Sequence, residues 1–224
     1  MTADGIYDPF ETQNRRVHEF NRNVDQALLR PTAVGYSSVI PDDIEDRIVN
    51  FSRNLQSPSI VVNSLLQGDV PGAGLGVVRF AVNSVLGLAG LFDAATDFGI
   101  PQHETDFGET LHVWGVGEGA YIELPLLGPS NQRDTTGLLV DFFTNPLSYV
   151  GLDGPASYVS LGAGVARGMS SRGRYVDSVD GVLYGSADSY SQARLIATQN
   201  RRFELGQEDA SAEIDPFALD TEGF

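Results

Sequence analysis

Three histidines, His18, His103 and His112, are the side chains here best able to move protons or hold a metal. Two of them bracket a run rich in oxygen donors: His103, Glu104, Thr105, Asp106, Phe107, Gly108, Glu109, Thr110, Leu111, His112. Glu109 and His112 stand three apart, so a helix puts both on one face, where they can share a hard or borderline metal. The order is not that of a zinc-protease helix, which needs two His four apart with the Glu between them. The plainer reading is a polar loop running into a capped helix. No Gly-x-Ser-x-Gly elbow is present, and no Ser–His–Asp set can be picked out among the many serines. Gly72-x-Gly74-x-Gly76 and Gly115-x-Gly117-x-Gly119 look superficially like nucleotide loops. Neither has the third glycine at dinucleotide spacing, and neither is followed by Lys–Ser/Thr. Gly72/Gly76, Gly115/Gly119 and Gly181/Gly185 are small pairs four apart, a spacing that lets helices approach closely in lipid. Asp93, Asp134 and Asp141 sit within apolar runs and read as caps or surface groups before they read as catalysts.

Bulk properties narrow the field. The chain has 224 residues, with 14 basic against 30 acidic side chains and a net charge of −16. Phosphate contact needs clustered cations, so the balance argues against a nucleic-acid partner. It argues equally against electrostatic docking on anionic lipid heads, so any membrane contact has to be apolar. Every basic residue is Arg. Cysteine is absent, which removes disulfides, thiolate metal sites, a catalytic Cys and a lipidated Cys from this chain. Residues 1–10 include Asp4 and Asp8 and no apolar stretch of the signal-peptide kind. The uncharged runs 54–68 and 81–92 fall short of the roughly 20 residues of a spanning helix. With 25 Gly and 11 Pro, many short elements and tight backbone approaches are expected.

Helices must position these residues. Phe10, Val17, Phe20, Val24 and Leu28 recur at spacings of seven, three, four and four, which predicts a helix over 9–29 with one apolar face. Asp8, Pro9 and Glu11 start it, and Pro31 ends it. A second helix opens at Pro41–Asp42–Asp43 with Ile44, Ile48, Phe51 and Leu55 on one face. Ser57–Pro58 breaks it and starts a third, carrying Ile60, Val61, Leu65 and Leu66 and closed by Gly68. Residues 71–76 lead into Val77, Phe80, Ala81, Val85 and Leu86, and 87–92 are apolar yet rich in glycine. A short helix is expected over 106–114, a turn or close-contact loop over 115–119, and an extended segment over 121–127 closed by Gly128–Pro129. The stretch 131–150 reads as helix interrupted near Asn145–Pro146, and 151–168 is ambiguous. One long helix is expected over 172–205, with Tyr175, Val179, Leu183, Tyr190, Ile196 and Phe203 near one face and Gly206 at its end. The acidic tail 207–224 is expected to be disordered. The expected organisation is a linker over 1–7, one helical domain over 8–206, and the tail.

Motifs recur in a fixed order along this frame. They begin with Asp8–Pro9–Phe10–Glu11, Asn14–Arg15, Phe20–Asn21, Arg30–Pro31 and Tyr36. Asn50–Phe51, Asn54–Leu55, and Asn63 ahead of Leu65–Leu66–Gln67–Gly68 follow. The densest block holds Arg79–Phe80, Asn83–Ser84, the run from Leu86 to Asp93, Gly99–Ile100–Pro101 and the run from Asp106 to Leu111. Trp114 to Tyr121, Leu124 to Ser130, and Arg133–Asp134 complete it. On these motifs the sequence resembles the MlaA/VacJ family of outer-membrane lipoproteins, from residue 8 to about 205.

The resemblance implies a mostly α fold: a ring-shaped helical single domain lying in one membrane leaflet, with an amphipathic central channel and little or no β. It implies a non-enzymatic, cofactor-free and metal-free component of phospholipid transport. Such a component sits beside a trimeric outer-membrane porin and passes phospholipid to a soluble periplasmic carrier, preserving outer-membrane lipid asymmetry. Phe20 and Asn21 match the segment that controls channel opening, with a plain core role as the alternative for Phe20. Leu86, Leu88, Leu91 and Phe92 are candidates to line or gate the channel, against ordinary helix packing. Leu124, Leu126 and Leu127 are candidates to face lipid, against a buried segment. Four departures stand out: no lipidated Cys precedes Asp8–Pro9, Gln13 stands where Phe is common, Ala120 where Pro often precedes Tyr121, and Ser189 where Asp–Pro–Tyr is usual. The missing Cys implies a mature or trimmed chain, or a member that inserts without an anchor. One other function stays open, a peripheral scaffold that binds porins or envelope proteins without moving lipid; an envelope hydrolase acting on phospholipid is disfavoured, because no nucleophile–base set appears.

Overall fold

The computed structural model describes residues 5–145 and 158–207. Within them the chain is mostly helical: α1 (Glu11–Val24), α2 (Arg30–Val39), α3 (Asp42–Gln67), α4 (Val70–Val85), α5 (Ala94–Asp97) and α6 (Phe107–Val113) precede a hairpin of β1 (Tyr121–Leu124) and β2 (Gly128–Asn131). After it come α7 (Gln132–Thr144), α8 (Val159–Arg174), α9 (Val176–Leu183) and α10 (Ser189–Glu204). The hairpin is antiparallel, with Tyr121 opposite Asn131 and Leu124 opposite Gly128. Residues 146–150, most of the ambiguous stretch before α8, and the acidic tail beyond Gln207 lie outside the described residues.

Three expected boundaries move. Pro31 does not end the first helix, because a π-helical turn over Asp25–Leu29 carries α1 into α2. The Arg30 N–H bonds the Asp25 carbonyl five residues back, and this wider turn eases the clash a proline ring makes with the preceding turn. Pro58 does not break α3, which runs 26 residues through it between α4 and α8. Pro58 costs the Asn54 carbonyl its helical donor, and packing on both sides outweighs that one lost backbone bond. The expected helix over 172–205 is instead three pieces. Asp188 ends the second gap by capping α10, its side chain accepting from the Ser191 N–H. The expected glycine-led entry to α4 is itself helical, since Asp69 caps Gly72 and Pro71 fits the first turn.

Contacts between elements close a circuit. α2 packs on α8, α8 on α3, α3 on α4 and α6, α6 on α7, α7 on the hairpin, and the hairpin back on α1. α9 joins α8 to α10, and α10 returns to β2. Among the small-residue pairs, Gly76 marks a helix contact: a Cβ there would lie 2.8 Å from Val61 of α3. Gly115 and Gly119 instead occupy left-handed turn positions.

The distribution of polarity is inverted. The buried apolar cluster is small, Ile6, Tyr121 and Tyr190 with Leu195 against it. Asn14, His18, Asp25, Glu45, Asn54, Asn63, Arg79, Thr110, Glu123, Arg133 and Arg194 are buried. Large apolar side chains are outside, among them Phe20, Leu28, Val39, Leu65, Val85, Phe142, Phe143, Leu161 and Phe203. A water-soluble domain does the reverse, and a continuous apolar exterior marks a membrane or partner surface. No described helix is long and apolar enough to cross a membrane.

Buried charges are paired. Asp25, 6% exposed, accepts Arg172 Nε and Nη2 at 2.8 Å each and the Tyr184 hydroxyl at 2.7 Å. Burial raises the Asp25 carboxyl, but these donors outweigh it and hold it below the ordinary carboxylate range. Arg172→Met leaves that carboxylate buried and unpaired, so folding stability in detergent is expected to fall by about 3–5 kcal/mol, read by thermal unfolding. Because Asp25 binds its proton less readily when folded, its contribution is complete above about pH 4 and drains away as pH falls through the folded-state value. Asp25→Asn is expected to flatten that part of the acid-unfolding curve.

Candidate functional site

The inward face of α1 is polar. Asn14, His18, Asn21 and Asp25 follow one another at spacings of four, three and four, one helical stripe. The apolar stripe at Phe10, Phe20 and Leu28 points outward, so Phe20 is half exposed and is not core. The polar stripe holds the hairpin. Asn14 Nδ2 donates to the Tyr121 carbonyl at 3.1 Å, and the Glu123 N–H donates to Asn14 Oδ1 at 3.1 Å, as a neighbouring strand would. One turn pair further on, Asn21 Nδ2 donates to the Leu124 carbonyl at 2.9 Å, and the Leu126 N–H donates to Asn21 Oδ1 at 2.7 Å. Asn21 thereby fixes the tip, where Leu126 holds a left-handed backbone with φ of 65°.

Between α1, the hairpin tip, α9 and α10 lies an open cavity of about 310 Å³. His18, Asn21, Arg22, Asp25 and Glu123 supply a polar side; Leu29, Leu126, Leu127, Pro129, Val179 and Leu183 supply an apolar one. Leu126 and Leu127 are about two-thirds exposed at its rim. A cavity with one polar and one apolar wall suits an amphiphile.

His18 anchors a buried chain of polar groups. Its Nε2 is 3.0 Å from Ser189 Oγ, and its Nδ1 is 3.3 Å from Glu123 Oε1. The Tyr121 hydroxyl donates to the other oxygen of Glu123, and its proton is held far above the ordinary range by burial and by the Glu123 carboxylate. His18 and Glu123 line the cavity, whereas Ser189 does not. Nucleophile, base and acid thus stand in line, a set not picked out from the sequence because the three residues lie on three distant segments.

Comparison with known proteins decides the lineage. The family described as MlaA lipoprotein matches residues 6–204. The chain belongs to this family. It is 39% identical over 145 residues to an uncharacterized protein of Rickettsia felis, covering 64% of this chain and 58% of that one. The chain therefore spans less than two thirds of the length of the rickettsial relatives it matches. It is 36% identical over 218 residues to the intermembrane phospholipid transport system lipoprotein MlaA of Escherichia coli, covering 96% of this chain and 84% of that protein. A solved structure described as the structural basis for maintenance of bacterial outer membrane lipid asymmetry superposes with a TM-score of 0.75 at 35% identity, covering 88% of this chain and 98% of the other.

Within this MlaA-family chain the other candidates separate into two places. Asn21, Leu126 and Leu127 meet at the cavity, with Phe20 beside them on the outer face of α1; Leu124 is joined to Asn21 through its carbonyl but does not line the cavity. Leu86, Leu88, Leu91 and Phe92 are elsewhere, on a tight loop after α4. Leu88 and Ala89 take left-handed backbone, and a Cβ on Gly90 would lie 2.4 Å from Asn54. Asn54 donates to the Ala89 carbonyl at 3.2 Å, so the loop is pressed on α3 with its leucines outward. Arg47 covers Phe92 at 4.4 Å from the ring centre. The donor run before α6 does not converge. His103 faces Ser64 and Asp69, His112 lies 3.5 Å from an Arg133 nitrogen, and Asp106 caps α6. No group of three or more possible metal ligands occurs among the described residues.

The polar stripe was the signal that a search for apolar periodicity passes over. Its test is Asn21→Ala, which frees one backbone donor and one acceptor at the hairpin tip. Amide exchange at Leu126 is expected to quicken by about tenfold while the rest of the hairpin, still held by Asn14, keeps its protection.

Proposed function

We propose that this chain is the outer-membrane component of an intermembrane phospholipid transport system. It takes phospholipid that has strayed into the outer leaflet and hands it to a soluble periplasmic carrier, and so maintains lipid asymmetry. One observation carries the reading: an amphipathic cavity sits in a helical body whose apolar side chains face outward. The E. coli relative is named for the same transport, and the superposable structure is described for the same asymmetry.

The closed circuit of element contacts supports a ring, and short helices with apolar outer faces suit a single leaflet. In this reading the cavity is part of the lipid path. Asn21 sets the hairpin through the Leu124 carbonyl, Leu126 and Leu127 meet acyl chains at the cavity rim, and Leu124 faces lipid beside them. Phe20 and the loop leucines Leu86, Leu88 and Leu91, with Phe92, present apolar contacts to surrounding lipid or to a gate. A trimeric porin beside the ring and a periplasmic carrier below it complete the route. Passage breaks no bond, so neither catalyst nor cofactor is required. A scaffold that only binds envelope proteins has no use for such a cavity, which is why transport is favoured over it.

The decisive measurement is outer-leaflet phosphatidylethanolamine on intact cells, read with an amine label that cannot cross the membrane. In a strain lacking its own such protein, this chain behind a lipoprotein signal is expected to return labelling to the wild-type level. Persistently high label with folded, membrane-bound protein would sink the reading. The aligned Ser189, His18 and Glu123 make a hydrolase the specific competitor. Ser189→Ala is expected to clear lipid as well as the parent chain, and lost clearance with an intact fold would restore the hydrolase.

A further inference from the structure

We propose that Arg22 is the phosphate-binding residue of the amphipathic cavity and takes the phosphodiester of a glycerophospholipid. The assignment deepens the transport reading and rests on it.

Three charged side chains line the cavity: Arg22, Asp25 and Glu123. Both carboxylates are already committed. Asp25 is bound by Arg172 through two nitrogens and by Tyr184, so its charge is offset before any ligand arrives. Glu123 accepts from Tyr121 and stands beside His18 and Asn21. Arg22 is different. Its guanidinium makes no hydrogen bond or ion pair with any described residue; its nearest aromatic partner is the Tyr184 ring, 6.0 Å from the centroid. Asp25 stands three residues on along the same helix but turns to Arg172 instead. Arg16, Arg47 and Arg167 also lack a carboxylate partner among the described residues, but none of the three lines this cavity.

A free guanidinium at the edge of a partly apolar cavity recognises a planar pair of anionic oxygens. Leucines 126 and 127 with Val179 and Leu183 form the apolar side opposite. A free phosphate gains nothing from that side, and an uncharged lipid gains nothing from Arg22. A lipid whose phosphate is joined to hydrocarbon uses both. The volume of about 310 Å³ is small for a binding cavity. It suits the phosphate and glycerol region, with the acyl tails laid along the apolar exterior.

The test uses the full chain in nanodiscs and three probes: phosphatidylglycerol with a fluorescent acyl chain, diacylglycerol with the same fluorophore, and inorganic phosphate as competitor. Arg22→Gln is expected to weaken phosphatidylglycerol binding by about tenfold or more, because a charge-assisted pair is lost. Arg22→Lys keeps the charge without the fork and is expected to stay within about threefold of the parent. Diacylglycerol binding is expected not to change in either variant, and millimolar phosphate is expected not to displace the lipid. Equal loss of both lipids in Arg22→Gln, or no loss of either, overturns the assignment alone. Displacement by inorganic phosphate overturns the lipid as the source of the anion. A parent chain that binds neither lipid overturns the transport reading and the assignment with it.

Discussion

Buried polar side chains that satisfy one another hold this fold together, because the apolar surface a soluble protein would bury is turned outward. Asp8 is the plainest case. Its side chain is fully buried and accepts from Asn14, Tyr190 and Arg194, tying the chain before α1 to α10. Asn63 of α3 donates to Asp141 of α7 at 2.8 Å, while Gln67 of α3 bonds Thr110 of α6 at 2.9 Å. In lipid, apolar contact between helices offers little net gain over contact with acyl chains, so hydrogen bonds averaging about 0.6 kcal/mol and close packing carry the association. The glycines serve the second need. A Cβ on Gly137 would lie 2.3 Å from the Gly108 nitrogen, so the α7 backbone reaches that of α6 only because position 137 is glycine.

The same constraint explains how a chain of net charge −16 keeps so many charges inside. Interior carboxylates are matched by arginines that fork between two acids. Arg172 reaches Asp25 and Asp180, and Arg201 reaches Asp106 and Asp134. Burial pushes the Asp134 and Asp93 carboxyls up, yet hydrogen bonds from their arginine, threonine and asparagine neighbours hold both below the ordinary range. A lysine offers one point charge and no fixed fork, so it could not bridge two carboxylates with the same geometry.

What the sequence made legible follows from which rule each segment obeys. Asp106 and α6, the Gly115–Gly119 turns and the Gly68 cap were readable because side-chain caps and left-handed glycines are local. The helix ends at Pro31 and Pro58 misled, since the proline rule assumes that no wider turn and no flanking helices compensate. Apolar periodicity located α1 correctly but not its inward side, because that inference assumes water outside. Ser189, His18 and Glu123 were invisible for a different reason: 105 residues separate His18 from Glu123, and 171 separate it from Ser189. Nothing local encodes such a meeting. The family motifs carried the function further than the chemistry did, yet the loop leucines near residue 88 and the hairpin leucines near 126 prove to be two separate apolar tips.

The two walls of the cavity are fixed to α1 by bonds of different character. On one side, Asn14 and Asn21 bond backbone atoms of the hairpin, contacts that neither proton nor salt alters near neutrality. On the other, α9 buries no residue of its own and is tied through Asp180 to Arg30 at 2.7 Å and to Arg172 at 2.6 Å. Arg172 in turn grips Asp25, at the point where the π-helical turn begins. That turn adds a residue after Asp25, so it sets where Arg30 and α2 fall relative to the stripe of Asn14, His18, Asn21 and Asp25. Both walls are therefore referenced to the register of one polar stripe. The width of the cavity is a matter of hydrogen-bond geometry along α1, and the exposed apolar side chains of the hairpin tip are carried into place by it.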